Sequence, residues 1–152
     1  MIASTVNTII GQRLVRRTAT DRQTYQSNEL ETQSIHDTVG HLLPKDKATM
    51  ARVSTDLGYK DLPLATQTAY TLAKGKDTPQ APGGYRGRVG LYEVMDVNEA
   101  VQNLIVKHAT SGEIQKQSIL DGMITMRQDG YLKALQGLTT LDEVNRVAAN
   151  MA

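Results

Sequence analysis

The sequence predicts a mixed α/β fold, mostly helical, in which a small strand pair carries a helical insertion and a C-terminal four-helix cluster. Three observations predict it. Residues 83–95, GGYRGRVGLYEVM, pass from glycine-rich into a run of β-formers. Downstream, four capping-type pairs recur, Asp96 with Glu99, Thr110 with Glu113, Thr125 with Gln128 and Thr140 with Glu143, each at the start of a helical pattern. Residues 19–82 are polar and rich in Thr, Gln and Asp, with Gly40, Pro44, Gly58, Pro63 and Gly75 as punctuation.

Residues 1–18, MIASTVNTIIGQRLVRRT, open abruptly with an apolar run that suits a helix or a strand. Gly11 interrupts it, and QRLVRR then sets Leu14 and Val15 between basic residues. A chain that begins inside such an element reads as part of something larger, although a short N-terminal strand gives the same pattern. In the polar stretch three helices fit: residues 28–43, with Leu30, Ile35, Val39, Leu42 and Leu43 near one stripe; residues 46–57, with Met50, Val53 and Leu57; and residues 63–73, with Pro63 in the first turn. Residues 74–84 read as a loop and residues 89–97 as a strand. In the last part, Val97, Ala100, Val101, Leu104 and Ile105 form one helical stripe, and Leu141, Val144, Val147, Ala148 and Met151 another. Gly112, Gly122 and Gly137 separate helices that the short connections pack side by side. Arg127 and Asp129 on the third helix read as structural, and Gly130 inside it reads as a point of close helix packing.

The chain has 152 residues and a net charge of +1, so composition gives no electrostatic case for nucleic acid or anionic membrane. It has no cysteine, which removes disulfides, thiol catalysis and cysteine-ligated zinc. With six tyrosines and neither Phe nor Trp, the core is built from Leu, Ile, Val, Met and Ala. There is no signal-peptide pattern and no apolar run of about 20 residues. The Gly75-Lys76 pair is followed by Asp77 and preceded at the required distance by Tyr70, so it is not a phosphate loop. Gly84, Gly87 and Gly90 precede a strand instead of following one and serve a turn. His36, His41 and His108 lack metal-ligand spacing, no Ser/His/Asp arrangement stands out, and no catalytic residue is assigned. Arg13, Arg16, Arg17, Arg86 and Arg88 fall in two groups that merge into one basic patch if the segments pair. Such a patch can hold phosphate, face solvent, or form salt bridges with another subunit.

Three blocks carry a resemblance: QRLVRRT, GYRGRVGLYEVM, and GMITMRQDGYLKALQGLTTLDEV over residues 122–144. In order and spacing they resemble the C-terminal end of the type II secretion and type IV pilus assembly ATPases, hexameric motors. The resemblance covers residues 1–18 and 83–152. It divides the chain into the end of an ATPase core segment (1–18), a polar helical insertion in place of a zinc-binding subdomain (19–82), and a strand plus helical subdomain (83–152). The family usually carries two CxxC pairs here; Ala19 and Arg22 stand at the first and Asp77 and Gln80 at the second, so no zinc is expected and the insertion is held by its own helices or is mobile. AVQNLIVK, residues 100–107, keeps Asn103, Leu104 and Ile105 of the retraction members' motif and departs at Gln102, Val106 and Lys107, which places the chain nearer the assembly or secretion branch. The family's nucleotide boxes would lie upstream of QRLVRR. The resemblance therefore implies ATP and magnesium in the parent protein, no cofactor in this chain, and no hydrolysis by it alone. It implies as partners the motor's own ATPase core, neighbouring subunits and an inner-membrane platform protein, with a cytoplasmic place at the inner face of the membrane. Arg13, Arg16, Arg17, Arg86 and Arg88 are the expected docking residues, with Glu93 as a partner. The alternative is a stand-alone, non-catalytic interaction module; a nucleic-acid binder would differ from both in salt-sensitive affinity.

Overall fold

The computed structural model describes residues 2–149; Met151, assigned above to the last helical stripe, lies outside them. In chain order the elements are α1 (Ile2–Thr5), β1 (Thr8–Thr18), β2 (Arg22–Gln26), α2 (Glu29–Val39), α3 (Lys47–Leu57), β3 (Thr71–Gly75), a 3-10 turn (Pro82–Gly84), β4 (Tyr85–Asp96), α4 (Glu99–Val106), α5 (Ser111–Leu120), α6 (Met126–Leu135) and α7 (Leu141–Ala148). The fold is mixed α/β and mostly helical, as the sequence predicts. One apolar cluster joins six of these elements: Val15 of β1, Ile35 and Val39 of α2, Leu72 of β3, Leu91 of β4, Tyr131 and Leu132 of α6, and Val144 of α7.

β1 and β4 pair antiparallel, from Thr8↔Asp96 to Thr18↔Tyr85, with an irregularity between Arg16 and Thr18. β1 runs unbroken through Gly11, which faces Glu93 across the ladder, so Gly11 does not interrupt the element. The N-terminal segment is mainly strand because its alternation puts Val15 against the core while its neighbours stay exposed.

The expected helix over residues 63–73 is absent. Residues 63–70 are irregular, and Thr71–Gly75 is a strand paired with β2. The signals that favour it come from far away in sequence: Ser27 N donates to Tyr70 O at 2.8 Å, and Tyr70 N to Ser27 Oγ at 2.8 Å. Leu72 and Ala73 are buried there, and a proline at a plausible first turn cannot outweigh that pairing.

This second ladder also ties together the two segments where the resemblance would place the CxxC pairs. Arg22 pairs with Gly75, Ala19 N donates to Gly84 O at 2.9 Å, Lys76 N donates to Asp21 O at 2.9 Å, and Thr78 and Ala81 exchange backbone bonds. Gly84, at φ 85°, lies so close to Gly75 that a Cβ on either would enter the other's backbone. The insertion is held by strand pairing and by the core as well as by its own helices.

The capping reading holds in part. Thr110 with Glu113 and Thr125 with Gln128 form complete boxes, as do Asn28 with Glu31 and Asp46 with Thr49. The Asp96/Glu99 pair does not. Asp96 is the last residue of β4, so the helix starts later, and Asn98 caps it by accepting from Val101 N at 3.0 Å. Thr140 accepts from Glu143 N at 3.2 Å, but the Glu143 carboxylate turns elsewhere.

Gly130 is the contact point of α6 with α7 and β4. A Cβ there would lie 2.5 Å from Val144 Cγ1 and 3.2 Å from Leu91 Cδ1. Gly130→Leu is therefore expected to destabilise by about 1–3 kcal/mol or more, the range for overpacking, read as a lower Tm in thermal unfolding. A second expectation follows from the ladder that closes the insertion: EDTA should leave Tm unchanged, and a chelator-induced fall would show that a metal supports this region.

Candidate functional site

A two-stranded antiparallel sheet leaves one edge of each strand open, and alternate residues turn their backbone groups toward it. On β4 those residues include Gly90 and Tyr92. Tyr92 N donates to Asp129 Oδ2 at 2.9 Å, and Lys133 Nζ donates to Gly90 O at 2.7 Å. Asp129 and Lys133 are themselves paired at 2.6 Å, with side chains 13% and 12% exposed. Two charged side chains one turn apart on α6 thus occupy the place of a neighbouring strand. Lys133 Nζ also lies 4.8 Å from the Tyr92 ring centroid.

On β1 the edge-facing residues are Ile10, Gln12, Leu14 and Arg16. At Arg16 the edge is closed: its N–H donates to Glu143 Oε2 at 2.9 Å, and its carbonyl accepts from Thr139 Oγ1 at 2.9 Å. The Arg16 side chain returns to the same carboxylate, Nε at 2.9 Å and Nη2 at 2.6 Å from Oε1. Arg146 adds Nε to Oε1 at 3.0 Å and Nη2 to Oε2 at 2.9 Å. Glu143 is 1% exposed. Burial alone would push its carboxyl up, but the bonds from Arg146 and Arg16 outweigh that and hold it down at about 2. Arg16 also stacks on Tyr85, 4.3 Å from the ring centroid, and Tyr85 Oη lies 2.7 Å from Thr140 Oγ1.

From Ile10 to Leu14 the same edge is open. Among the described residues none bonds to the outward backbone groups of Ile10, Gln12 or Leu14. The sheet face carrying their side chains exposes Ile10 (63%), Leu14 (46%), Tyr92 (44%) and Val94 (51%). Cross-strand partners Ile10 and Val94 make this a stripe, not scattered residues.

The pairing of the two segments brings Arg16 opposite Arg88. Arg17, at the irregularity, and Arg86 lie at the same end, and Arg17, Arg86 and Arg88 are exposed. Arg13 points instead to α7, with Nη1 3.4 Å from Val147 O. Glu93 accepts from Met126 N at 3.1 Å, beside the start of α6. Of the five arginines, Arg16 pairs with Glu143, which the sequence presented only as half of a capping box. Arg146, three residues on, was the available signal. Asp129 and Lys133 were likewise missed as edge closures, since nothing local marks them.

The Gly75-Lys76 pair forms no phosphate cradle. Gly75 ends a strand against Gly84, Lys76 N bonds Asp21 O, and no helix starts there. Among the described residues no group of three or more His, Asp or Glu could hold a metal ion, and His36 packs edge-on to Tyr70, centroids 5.4 Å apart. No described helix is long and apolar enough to cross a membrane.

The sign of the Glu143 contribution is set by its depressed folded value. Its stabilisation is present above the unfolded value, 4.5, and is lost as pH falls toward about 2. Glu143→Gln is expected to lower stability at neutral pH by about 1.5–3 kcal/mol, the scale of hydrogen bonds to a charged group. It should also flatten the acid branch of the Tm–pH curve, which thermal unfolding at a series of pH values would measure.

Residues 1–146 match the family described as Type II/IV secretion system protein. The type IV pilus assembly ATPase PilB of Pseudomonas aeruginosa is 32% identical over 146 residues, covering 96% of this chain and 22% of that protein. The type II secretion system protein E of Xanthomonas campestris is 31% identical over 150 residues, covering 97% and 22%. The matching protein E of Pectobacterium carotovorum is 48% identical over 65 residues, 42% of this chain. The chain thus spans about a fifth of the length of the first two relatives. With a family match over nearly all its residues and a relative above 30% identity, this chain belongs to the type II/IV secretion system protein family, the family of the pilus assembly and type II secretion ATPases.

Proposed function

We propose that this chain is the C-terminal region of a hexameric ATPase that powers type IV pilus assembly or type II secretion, and that it couples ATP hydrolysis performed upstream to movement of an inner-membrane platform protein. The observation that carries this reading is the open edge and apolar outer face of β1, from Ile10 to Leu14, beside exposed Arg17, Arg86 and Arg88. Gly90 and Tyr92 on β4 and Arg16 on β1 are instead closed by specific side chains. An open edge with an apolar face is the surface expected of a part that packs on a larger body. In this reading the ATPase core covers that stripe, and the arginines meet the core or a neighbouring subunit. ATP and magnesium belong to the upstream core, and the chain works at the inner face of the membrane.

A chimaera tests it: this chain replaces the matching region of the P. aeruginosa relative, and ATP hydrolysis and pilus assembly are measured. Both activities are expected to persist, while this chain alone hydrolyses no ATP. Reversing the free arginines together, with Arg17→Glu, Arg86→Glu and Arg88→Glu, should reduce the chimaera's hydrolysis at least about tenfold, the effect of like-charge or unpaired contacts at an interface. Unchanged activity in a folded triple variant removes the docking role. A folded chimaera without hydrolysis or assembly removes the motor reading.

A further inference from the structure

The segment between Pro44 and Ala65 is an excursion with a closed base. Ala65 N donates to Pro44 O at 2.8 Å, and Tyr70 Oη donates to Ala65 O at 2.7 Å. Leu43 and Leu62, each 2% exposed, pin the two ends into the core. Between the pins lies α3, and none of its residues is buried. The helix is locally self-sufficient, with the Asp46/Thr49 box at its start and Gly58, at φ 74°, bonding back to its last turn. Of the apolar residues between the pins, Val53, Leu57 and Tyr59 pack half-buried against the core cluster.

Among the described residues, one side-chain hydrogen bond ties this excursion to the body. Tyr59 Oη donates to Asp129 Oδ1, on the carboxylate that closes the β4 edge through Tyr92 N and Lys133 Nζ. Burial, then the bond to Asp129, push the Tyr59 phenol up, so it stays a neutral donor. Beneath it lies a cleft of about 280 Å³ walled by Leu57, Tyr59, Tyr92, Val94, Met123 and Asp129. Segments with few buried apolar contacts open at lower free energy than the core that holds their ends.

We propose that residues 45–61 form a strap, latched by Tyr59 to Asp129, that opens over the Tyr92/Val94 end of the sheet's outer face while Leu43 and Leu62 stay anchored. Opening lengthens the apolar stripe and frees one acceptor lobe of Asp129 without removing Asp129 from the β4 edge. The strap itself needs no partner. Its consequence, that it sets how much of the stripe is available, rests on the docking reading above.

The test is hydrogen exchange by mass spectrometry on the chain and on Tyr59→Phe, which keeps the ring and removes the donor. Amides of residues 47–59 should exchange at least about tenfold faster in the variant, the scale of one lost hydrogen bond to a charged group, while those of β1, β4 and α6 keep their protection. Tryptic cleavage after Lys47, Arg52 and Lys60 should accelerate in parallel. Equal exchange of residues 47–59 in both proteins overturns the latch. Acceleration spread evenly over β4 and α6 overturns the strap, since α3 would then open only with the core. Neither measurement involves an ATPase core, so failure of the docking reading leaves this result standing on its own.

Discussion

A sheet of two long strands has as much edge as interior, and the arrangement of the C-terminal half follows from closing those edges. Backbone groups on an open edge must find water or a partner, and where the edge is covered by other elements only a partner will do. Here the partners are charged side chains presented by helices. Asp129 and Lys133 bring α6 along β4, and Glu143 and Thr139 bring α7 and its preceding loop along the end of β1. With the helices set by polar contacts at the edges, their apolar sides meet Val15 and Leu91 over the sheet. Gly130 then permits the close contact of α6 with α7. The edge bonds also explain why two charged groups are tolerated at little exposure: each carboxylate has several donors, and a paired, hydrogen-bonded charge avoids most of the penalty of burial.

The insertion solves a different problem. A small polar excursion cannot bury enough apolar surface to order itself, and a metal site is one common remedy. Here order is distributed. The β2–β3 ladder closes the base, Ser27 and Tyr70 exchange two bonds, and Ile35, Val39, Leu43, Leu62, Tyr70 and Leu72 enter the same cluster as α6 and α7. The insertion therefore leans on the body and does not form its own core. α3, like β2, is left without a buried residue.

What was legible in the sequence was what depends on near neighbours. The helices over α2 and α3, the complete boxes at Thr110 and Thr125, the β4 run and the mid-helix place of Gly130 all follow from residues a few positions apart. What was not legible depends on distant ones. In β3, residues 71–73 read as the end of a helix and residues 74–75 as loop, and they become strand because β2 is beside them. Glu143 reads as a capping partner because Thr140 precedes it, yet two arginines, one of them 127 positions away, outcompete the cap. The site was half-visible for the same reason. The arginine clusters were plain, but which arginine is fixed and which are free depended on a carboxylate that only the fold brings near.

That division of the arginines bears on how force could pass through the region. Arg16 and Arg88 face each other across the ladder, and two like charges at that spacing repel. Glu143 resolves the conflict by holding Arg16 through its backbone and its side chain at once, so β1 and α7 are joined at a point where neither can shift alone. Among the described residues no carboxylate pairs with Arg17, Arg86 or Arg88, and these stand on the strand pair, not on a loop. A push on them would be delivered to α7 and, through Val144 and Gly130, to α6, whereas the same charges on a mobile segment would absorb it. On the docking reading, the buried carboxylate is then what makes the surface cations useful, although it touches no partner itself.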